Sequence, residues 1–137
     1  MTGIFEFPYT VANSDIDELN HAGNYHYVRW MQDAAVAHSN ANGWHPQKYQ
    51  ELGAGWVARS HNITYLKPAY EDDALIIKTW VSDLKSATSR RHYEIMNAAG
   101  EMLAKAETNW AFISFKTQKP TRIPAEVAKC FELVENS

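Results

Sequence analysis

The feature that most constrains the fold is a change in apolar periodicity between the two halves of the chain. From about residue 23 to residue 41, Tyr27, Met31, Ala34 and His38 recur at the spacing of one helix face. Neighbouring apolar residues widen that face and leave only a narrow polar stripe. Gly43 follows, a residue that takes a left-handed conformation without steric cost. The pattern predicts one long, mostly buried helix.

After residue 55, runs of β-branched and aromatic residues alternate with short turn-forming segments. This pattern predicts consecutive antiparallel strands joined by hairpins. The predicted strands cover residues 55–66, 75–84, 88–97 and 102–115. An earlier strand is predicted at 4–11, a short helical turn at 45–52, and a surface helix at 124–134 with Pro124 at its first helical position.

These elements predict an α+β fold in which an antiparallel five-stranded sheet curls around the long helix. No linker, repeat or low-complexity tract divides the 137 residues, so residues 1–137 are predicted to form a single domain. The long edge strands and the uncovered stripe of the helix favour pairing with a second copy of the chain.

Composition excludes several classes of protein. A net charge of -3 argues against nucleic-acid binding and against attachment to a membrane surface. The single cysteine, Cys130, has no partner for a disulfide within the chain, and it is expected to be a small buried residue of the last helix. No stretch has the length and hydrophobicity of a signal peptide or membrane span, so the expected compartment is the cytoplasm.

The loop "SDIDELNHAGN" places acids immediately before the long helix. The first turn of a helix carries unpaired N–H groups and a partial positive charge, which stabilise a negative oxygen. A carboxylate at Asp17, close to a helix start at Asn24, suits acyl transfer, in which the carboxylate activates water or attacks directly. The alternative is that Asp17 only caps the helix, as Asp residues before helices often do.

Other catalytic signatures are missing from the sequence. It has no Gly-x-Ser-x-Gly motif, no His-Glu-x-x-His motif, no paired cysteines and no glycine-rich phosphate loop. We therefore expect neither a metal nor a cofactor.

The segment "DIDELNHAGNYHYVRWMQDA" resembles the hotdog-fold thioesterases of the 4-hydroxybenzoyl-CoA thioesterase-like family, with their Asp-x-Asp, polar loop and Asn-x-x-Tyr. "ARSHNITYLKPAYEDDALII" and "KPTRIP" are similar to later segments of that family, so the resemblance covers nearly the whole chain. It implies a hotdog fold and hydrolysis of an acyl-CoA to the free acid and CoA. Among the members of the family, the loop resembles most closely those that act on fatty acyl-CoA.

The resemblance also assigns roles to individual residues. Asp17 matches the catalytic carboxylate and Asn24 the position whose backbone N–H polarises the thioester, whereas Asp15 matches a structural acid. His21 is either a substrate contact or a hydrogen-bonded loop residue, and Tyr25 is a further candidate contact.

The active site is expected at a subunit interface of a homodimer or homotetramer. Asp17 would come from one subunit, and the strand residues near Arg59 and His61 from the other.

Coenzyme A would bring phosphates to the rim of the site. Lys85, Arg90 and Arg91 are candidates to bind them, and Lys119 and Arg122 compete for that role. Because adjacent strand residues face opposite sides, Arg90 and Arg91 are not expected to bind the same phosphate.

Several alternatives stay open at this stage. One is a non-catalytic acyl-CoA binding or sensing protein, and another is an enoyl-CoA hydratase, although the spacing of Asp17 and His21 does not match that chemistry.

Trp30, Trp44 and Trp56 are aromatic candidates to line an acyl pocket, and Tyr49 is a fourth. The acyl chain, the choice between CoA and an acyl carrier protein, and the choice between base and nucleophile are not determined.

Overall fold

The computed structural model describes residues 3–135, which form an antiparallel sheet with one long and two short helices. In chain order the elements are β1 (Phe5–Thr10), α1 (Asn24–Ala41), α2 (Pro46–Leu52), β2 (Ala54–Tyr65), β3 (Ala74–Leu84), β4 (Thr88–Asn97), β5 (Met102–Ser114) and α3 (Ala125–Ala128). The five strands lie in the order β1-β3-β4-β5-β2, so β1 and β2 form the edges. The predicted α+β architecture is confirmed, and its main helix and strands lie close to their predicted positions.

Helix α1 lies against the concave face of the sheet. All four residues predicted to face the core are buried, and two further residues of the helix are buried with them. The six are Tyr27, Trp30, Met31, Ala34, Ala35 and His38. The helix ends as predicted, with Asn42 at its C-cap and Gly43 in a left-handed conformation at φ +89°. Within residues 3–135, none of the helices is long and apolar enough to cross a membrane.

The core consists of two apolar clusters at opposite ends of α1. The cluster near the start of the helix includes Tyr27, Trp30 and Met31, all at most 2% exposed. The cluster near its end joins Trp44 and Phe112 to residues that follow β5. The loop between β1 and α1 is therefore anchored on the first cluster, and the second cluster packs under the other end of the sheet.

A β-bulge in edge strand β2 determines which side chains face the helix. The register with β5 shifts between Ala58 and Ser60, leaving Arg59 as the extra residue. Beyond the bulge, His61 pairs with the buried Thr108, and Tyr65 pairs with the buried Ala104. After the shift, His61, Ile63 and Tyr65 face the helix, whereas the residues between them face outward.

The prediction of a surface helix over 124–134 was wrong in its length and its start. The helix covers only Ala125–Ala128, and Pro124 is its N-cap instead of its first helical residue. The following segment turns back onto the sheet, where the Val134 N–H donates to the Val81 carbonyl over 2.9 Å. Cys130 lies beyond the helix and is only partly buried. Contacts with β3 therefore determine the path of this segment, despite its helical spacing.

Candidate active site

Asp15 anchors the loop between β1 and α1. Its side chain is 0% exposed and accepts hydrogen bonds from the Tyr9 hydroxyl, the Ala12 amide and Arg29 Nη2. His26 Nδ1 lies 3.4 Å away. Burial alone would raise the pKa of Asp15, but the hydrogen bonds from Tyr9 and Ala12 and the charge of Arg29 hold it below its usual value. These contacts agree with the structural role expected for Asp15.

Asp17 lies in a tight turn of the same loop with one carboxylate oxygen left unpaired. Its backbone N–H donates to the His21 carbonyl over 3.0 Å, and its Oδ1 accepts from the Leu19 amide at 2.8 Å. No hydrogen bond within residues 3–135 uses Oδ2, and a Cβ placed on Gly23 would lie 3.7 Å from that oxygen. The turn thus fixes one oxygen and directs the other toward the start of α1.

The start of α1 has no side-chain cap. Gly23 is the N-cap, its own amide donates to the Asp15 carbonyl, and the amide of His26 donates to the Gly23 carbonyl. Among the hydrogen bonds of the described residues, none uses the amides of Asn24 or Tyr25. Asp17 therefore caps its own turn and does not cap the helix. The helix end retains two free donors, which is the arrangement an oxyanion site requires.

Three further side chains surround this helix start. His21 is half-buried and its Nδ1 lies 3.2 Å from the Ala22 carbonyl. Tyr25 is 75% exposed and its ring lies 4.0 Å from the ring of His26. Tyr65, at the end of β2, donates its hydroxyl to the Asn24 carbonyl over 3.2 Å. Tyr65 is not among the site residues predicted from the sequence, although its alternation with His61 along the strand indicates that it faces the helix.

Arg59 and His61 make no contact with Asp17 in the described part of this chain. Arg59 is exposed at the bulge, and His61 Nδ1 lies 2.8 Å from the Thr108 hydroxyl. Burial lowers the pKa of His61, which favours its neutral form. Among the described residues of β2, Tyr65 is the one that hydrogen-bonds to the helix start.

The predicted phosphate-binding residues lie on both faces of the sheet and in two exposed loops. Lys85 is exposed in the turn between β3 and β4. Arg90 is exposed on the outer face, with Nη1 2.5 Å from Glu107. Arg91 lies on the inner face and is 6% exposed, which confirms that the two arginines point to opposite sides of the sheet. The competing candidates, Lys119 and Arg122, are exposed in the loop after β5.

A cavity of about 570 Å³ lies between the second half of α1, helix α2 and the inner face of the sheet. Trp44, Tyr49 and Trp56 line it, whereas Trp30 is part of the core near the helix start. The lining residue of α1 nearest to Asn24 is Gln32, about 12 Å along the helix at 1.5 Å per residue. The cavity of one chain is therefore well separated from that chain's own Asp17.

No three His, Cys, Asp or Glu side chains between residues 3 and 135 form a cluster with the geometry of a metal site. The chemistry that the helix start offers is a carboxylate oxygen beside two backbone donors. This pair is suited to attack on a carbonyl carbon whose oxygen gains negative charge.

Comparison with known proteins gives the same fold and a consistent chemistry. The model of the thioesterase-like superfamily matches residues 11–131. The chain is 27% identical over 128 residues to the acyl-CoA thioesterase YbgC of Haemophilus influenzae, covering 93% of each chain. It is 24% identical over 110 residues to the putative acyl-CoA thioesterase YneP of Bacillus subtilis, covering 80% of each.

A solved structure resembles the whole fold. The protein SAV2348 of Staphylococcus aureus, determined in complex with CoA, superposes with a TM-score of 0.88 at 16% identity, over 93% of this chain and 80% of that chain. The superposition agrees with the predicted hotdog architecture, a curled antiparallel sheet around a central helix.

Proposed function

Because the chain belongs to the thioesterase-like superfamily, we propose that it hydrolyses the thioester of an acyl-CoA to a free acid and CoA. Asp17 is the catalytic carboxylate in this proposal. As a base, Asp17 takes a proton from the water that attacks the carbonyl carbon. As a nucleophile, it forms a mixed anhydride that water then cleaves. In both routes the sulfur of CoA leaves and is protonated.

The observation that carries the proposal is the position of Asp17 Oδ2 beside the uncapped start of α1. The free amides of Asn24 and Tyr25 are donors for the carbonyl oxygen as it becomes negative. They are part of the backbone, so they need no rearrangement when charge develops. The Asn24 side chain is exposed and contributes less than its N–H in this scheme.

The proposed enzyme is a homodimer formed through β2. This strand has twelve residues and is an edge of the sheet, and residues 57–60 are exposed along it. A two-fold axis at the middle of the strand would extend the sheet across both chains by antiparallel pairing. Arg59 and Ser60 would then lie at the axis, between the helix starts of the two subunits.

This pairing also places the cavity of one chain near Asp17 of the other. It sets Tyr65 of one chain opposite residues near Ala54 of its partner, because these are the two ends of the same strand. Tyr65 touches the helix start, whereas Gly55 and Trp56 line the cavity. The acyl chain would therefore extend from the helix start of one subunit into the cavity of the other.

The CoA phosphates are proposed to bind exposed basic residues outside the cavity. Lys85, Lys119 and Arg122 are exposed and make no ion pair within the described residues, whereas Arg90 is already paired with Glu107. His21, Tyr25, Arg59 and His61 are proposed to contact the part of the substrate near the thioester.

The first prediction tests the carboxylate. Asp17→Asn retains an oxygen for the Leu19 amide but loses the charge and basicity, so kcat for acyl-CoA hydrolysis should fall about a hundredfold or more. The free energy of unfolding should change little. A thiol reagent that detects the released CoA measures kcat, and urea unfolding measures the free energy of unfolding.

Asn24→Ala is the matched control because it retains the backbone N–H, and its effect on kcat should be much smaller. Near-normal turnover by a folded Asp17→Asn protein would contradict the role of Asp17. Binding of acyl-CoA without thiol release by the wild type would instead indicate a binding protein.

A further inference from the structure

We propose that Arg91 binds a carboxylate at the far end of the acyl group, so that the preferred substrates are ω-carboxyacyl thioesters rather than simple fatty acyl thioesters. This inference rests on the proposed function and specifies its substrate class. Among the described residues that line the cavity, Arg91 is the one with a charged side chain. Most of the remaining lining is aliphatic or aromatic, including Val36, Trp56 and Phe131.

Within the described part of the chain, Arg91 is buried without a counter-charge. It is 94% buried, and no carboxylate within residues 3–135 lies within ion-pair distance of it. Burial lowers its pKa, yet a guanidinium stays protonated in proteins. An isolated buried charge is unfavourable, and a bound anion would compensate it.

Hydrogen bonds hold the guanidinium in place from one side only. Nη1 contacts His38 Nδ1 and donates to the Thr79 hydroxyl, each over 3.0 Å. Thr79 in turn donates to the His92 carbonyl, so its oxygen is free to accept from Arg91. Nε and Nη2 of Arg91 take part in no hydrogen bond among the described residues. Neither atom is completely enclosed by protein. These nitrogens are therefore accessible donors, with the fork geometry that suits a carboxylate.

The rest of the cavity wall determines what else the ligand must be. Apart from Gln32, Ser39, Gln50 and Ser89, the other residues that line it are apolar or aromatic. A guanidinium edge without a partner among the described residues, at the wall of such a cavity, indicates a ligand that is apolar along its length and anionic at its end.

The first part of the test compares matched thioesters on the wild-type protein. The pairs are adipoyl-CoA with hexanoyl-CoA, suberyl-CoA with octanoyl-CoA, and sebacoyl-CoA with decanoyl-CoA. At the chain length with the highest rate, kcat/KM should favour the ω-carboxyl member by about tenfold or more, the effect expected of a charge-assisted hydrogen bond. Equal rates, or a preference for the simple acyl chain, would overturn the inference without requiring any variant.

The second part uses Arg91→Met, which retains length but loses the charge. The ratio of kcat/KM between the two members of a pair should fall to about one or below. Arg90→Met is the matched control, because Arg90 lies on the opposite face of the same strand and its loss should leave the ratio intact. An unchanged ratio in a folded Arg91→Met protein would overturn the inference.

A binding measurement separates this inference from the proposed function. Calorimetric titration with the monoamide of suberic acid and with octanamide needs no hydrolysis, and the two differ only in the ω-carboxylate. The monoamide should bind about tenfold more tightly in an Arg91-dependent manner. If the protein binds the monoamide in this way but cleaves none of the thioesters, the proposed function fails and the carboxylate site stands. If it cleaves thioesters without any preference, the proposed function stands and the carboxylate site fails.

Discussion

Asp15 and Asp17 lie two residues apart, yet their surroundings give their carboxylates different properties. Asp15 is buried, and both its oxygens are engaged by partners from β1, the loop and α1. Asp17 is only half-buried, and one of its oxygens accepts a hydrogen bond from a single amide. A carboxylate held entirely by hydrogen bonds stabilises a structure, whereas one with a free oxygen remains available for reaction. The loop thus separates a structural acid from the acid that we propose to react.

His38 gives a prediction about stability and pH. Burial, followed by the charge of Arg91, lowers its pKa from 6.5 to about 4. Between these values the unfolded chain binds a proton that the folded chain does not, so the free energy of unfolding should fall as the pH is lowered through this range. The contribution of one such group is up to about 1.4 kcal/mol per pH unit.

The measurement is urea unfolding at several pH values between 4.5 and 7. His38→Gln retains an acceptor for Arg91 but does not titrate, so its stability should depend less steeply on pH. Burial also lowers the pKa of His61 and His92. Both residues are present in the wild type and in the variant, so their contributions cancel when the two slopes are compared. Equal slopes for the two proteins would contradict the depressed pKa of His38.

At the scale of elements, helices and strands could be predicted from the sequence where local signals agreed with tertiary contacts. The period of α1, the left-handed Gly43 after it and the short hairpin joins each indicate one structure. The prediction of the last helix failed beyond Ala128, although Val127 and Phe131 have helical spacing. Both side chains pack into the cluster near the end of α1, and the Phe131 ring also meets the His38 ring edge-on and lies close to the Arg91 guanidinium. Such contacts with distant strands are not visible in local periodicity.

Phe131 provides a test of this segment. Its side chain is 7% exposed, so Phe131→Ala should lower the free energy of unfolding by about 3 kcal/mol, as other large-to-small core substitutions do. Leu133→Ala, two residues later and 50% exposed, is the matched control and should have almost no effect. Chemical denaturation measures both, and equal effects would show that the segment does not depend on Phe131.

At the scale of the whole molecule, one chain contains the parts of the proposed site but keeps them apart. The positions of Asp17 and Asn24 before the helix could be predicted from the sequence, because a helix start is a local feature. The cavity could not be predicted, since α1, α2 and four strands contribute to its wall. The burial of Arg91 depends on the same long-range packing. Pairing through β2 is the step that would bring the carboxylate of one chain to the cavity of another.

This pairing makes a prediction that a site within one chain does not make. Asp17→Asn removes the carboxylate, and Gln32→Trp with Val36→Trp fills the cavity at two exposed positions of its wall. Each homodimer should be nearly inactive. A heterodimer of the two, isolated with two different affinity tags, should regain about half the wild-type rate, because one of its two symmetry-related sites combines an intact Asp17 with an intact cavity.

If both parts of the site belonged to the same chain, each site of the heterodimer would carry one defect and thiol release would stay at the level of the homodimers. The control is a heterodimer in which one subunit carries all three substitutions and the other is wild type. The activity of this control should be at most half that of the wild type, whichever way the site is formed. If each site lies within one chain, one site stays intact, and if each site is shared between chains, none does. Regained activity in the first heterodimer, together with its loss in the second, would therefore assign the carboxylate and the cavity of each active site to different subunits.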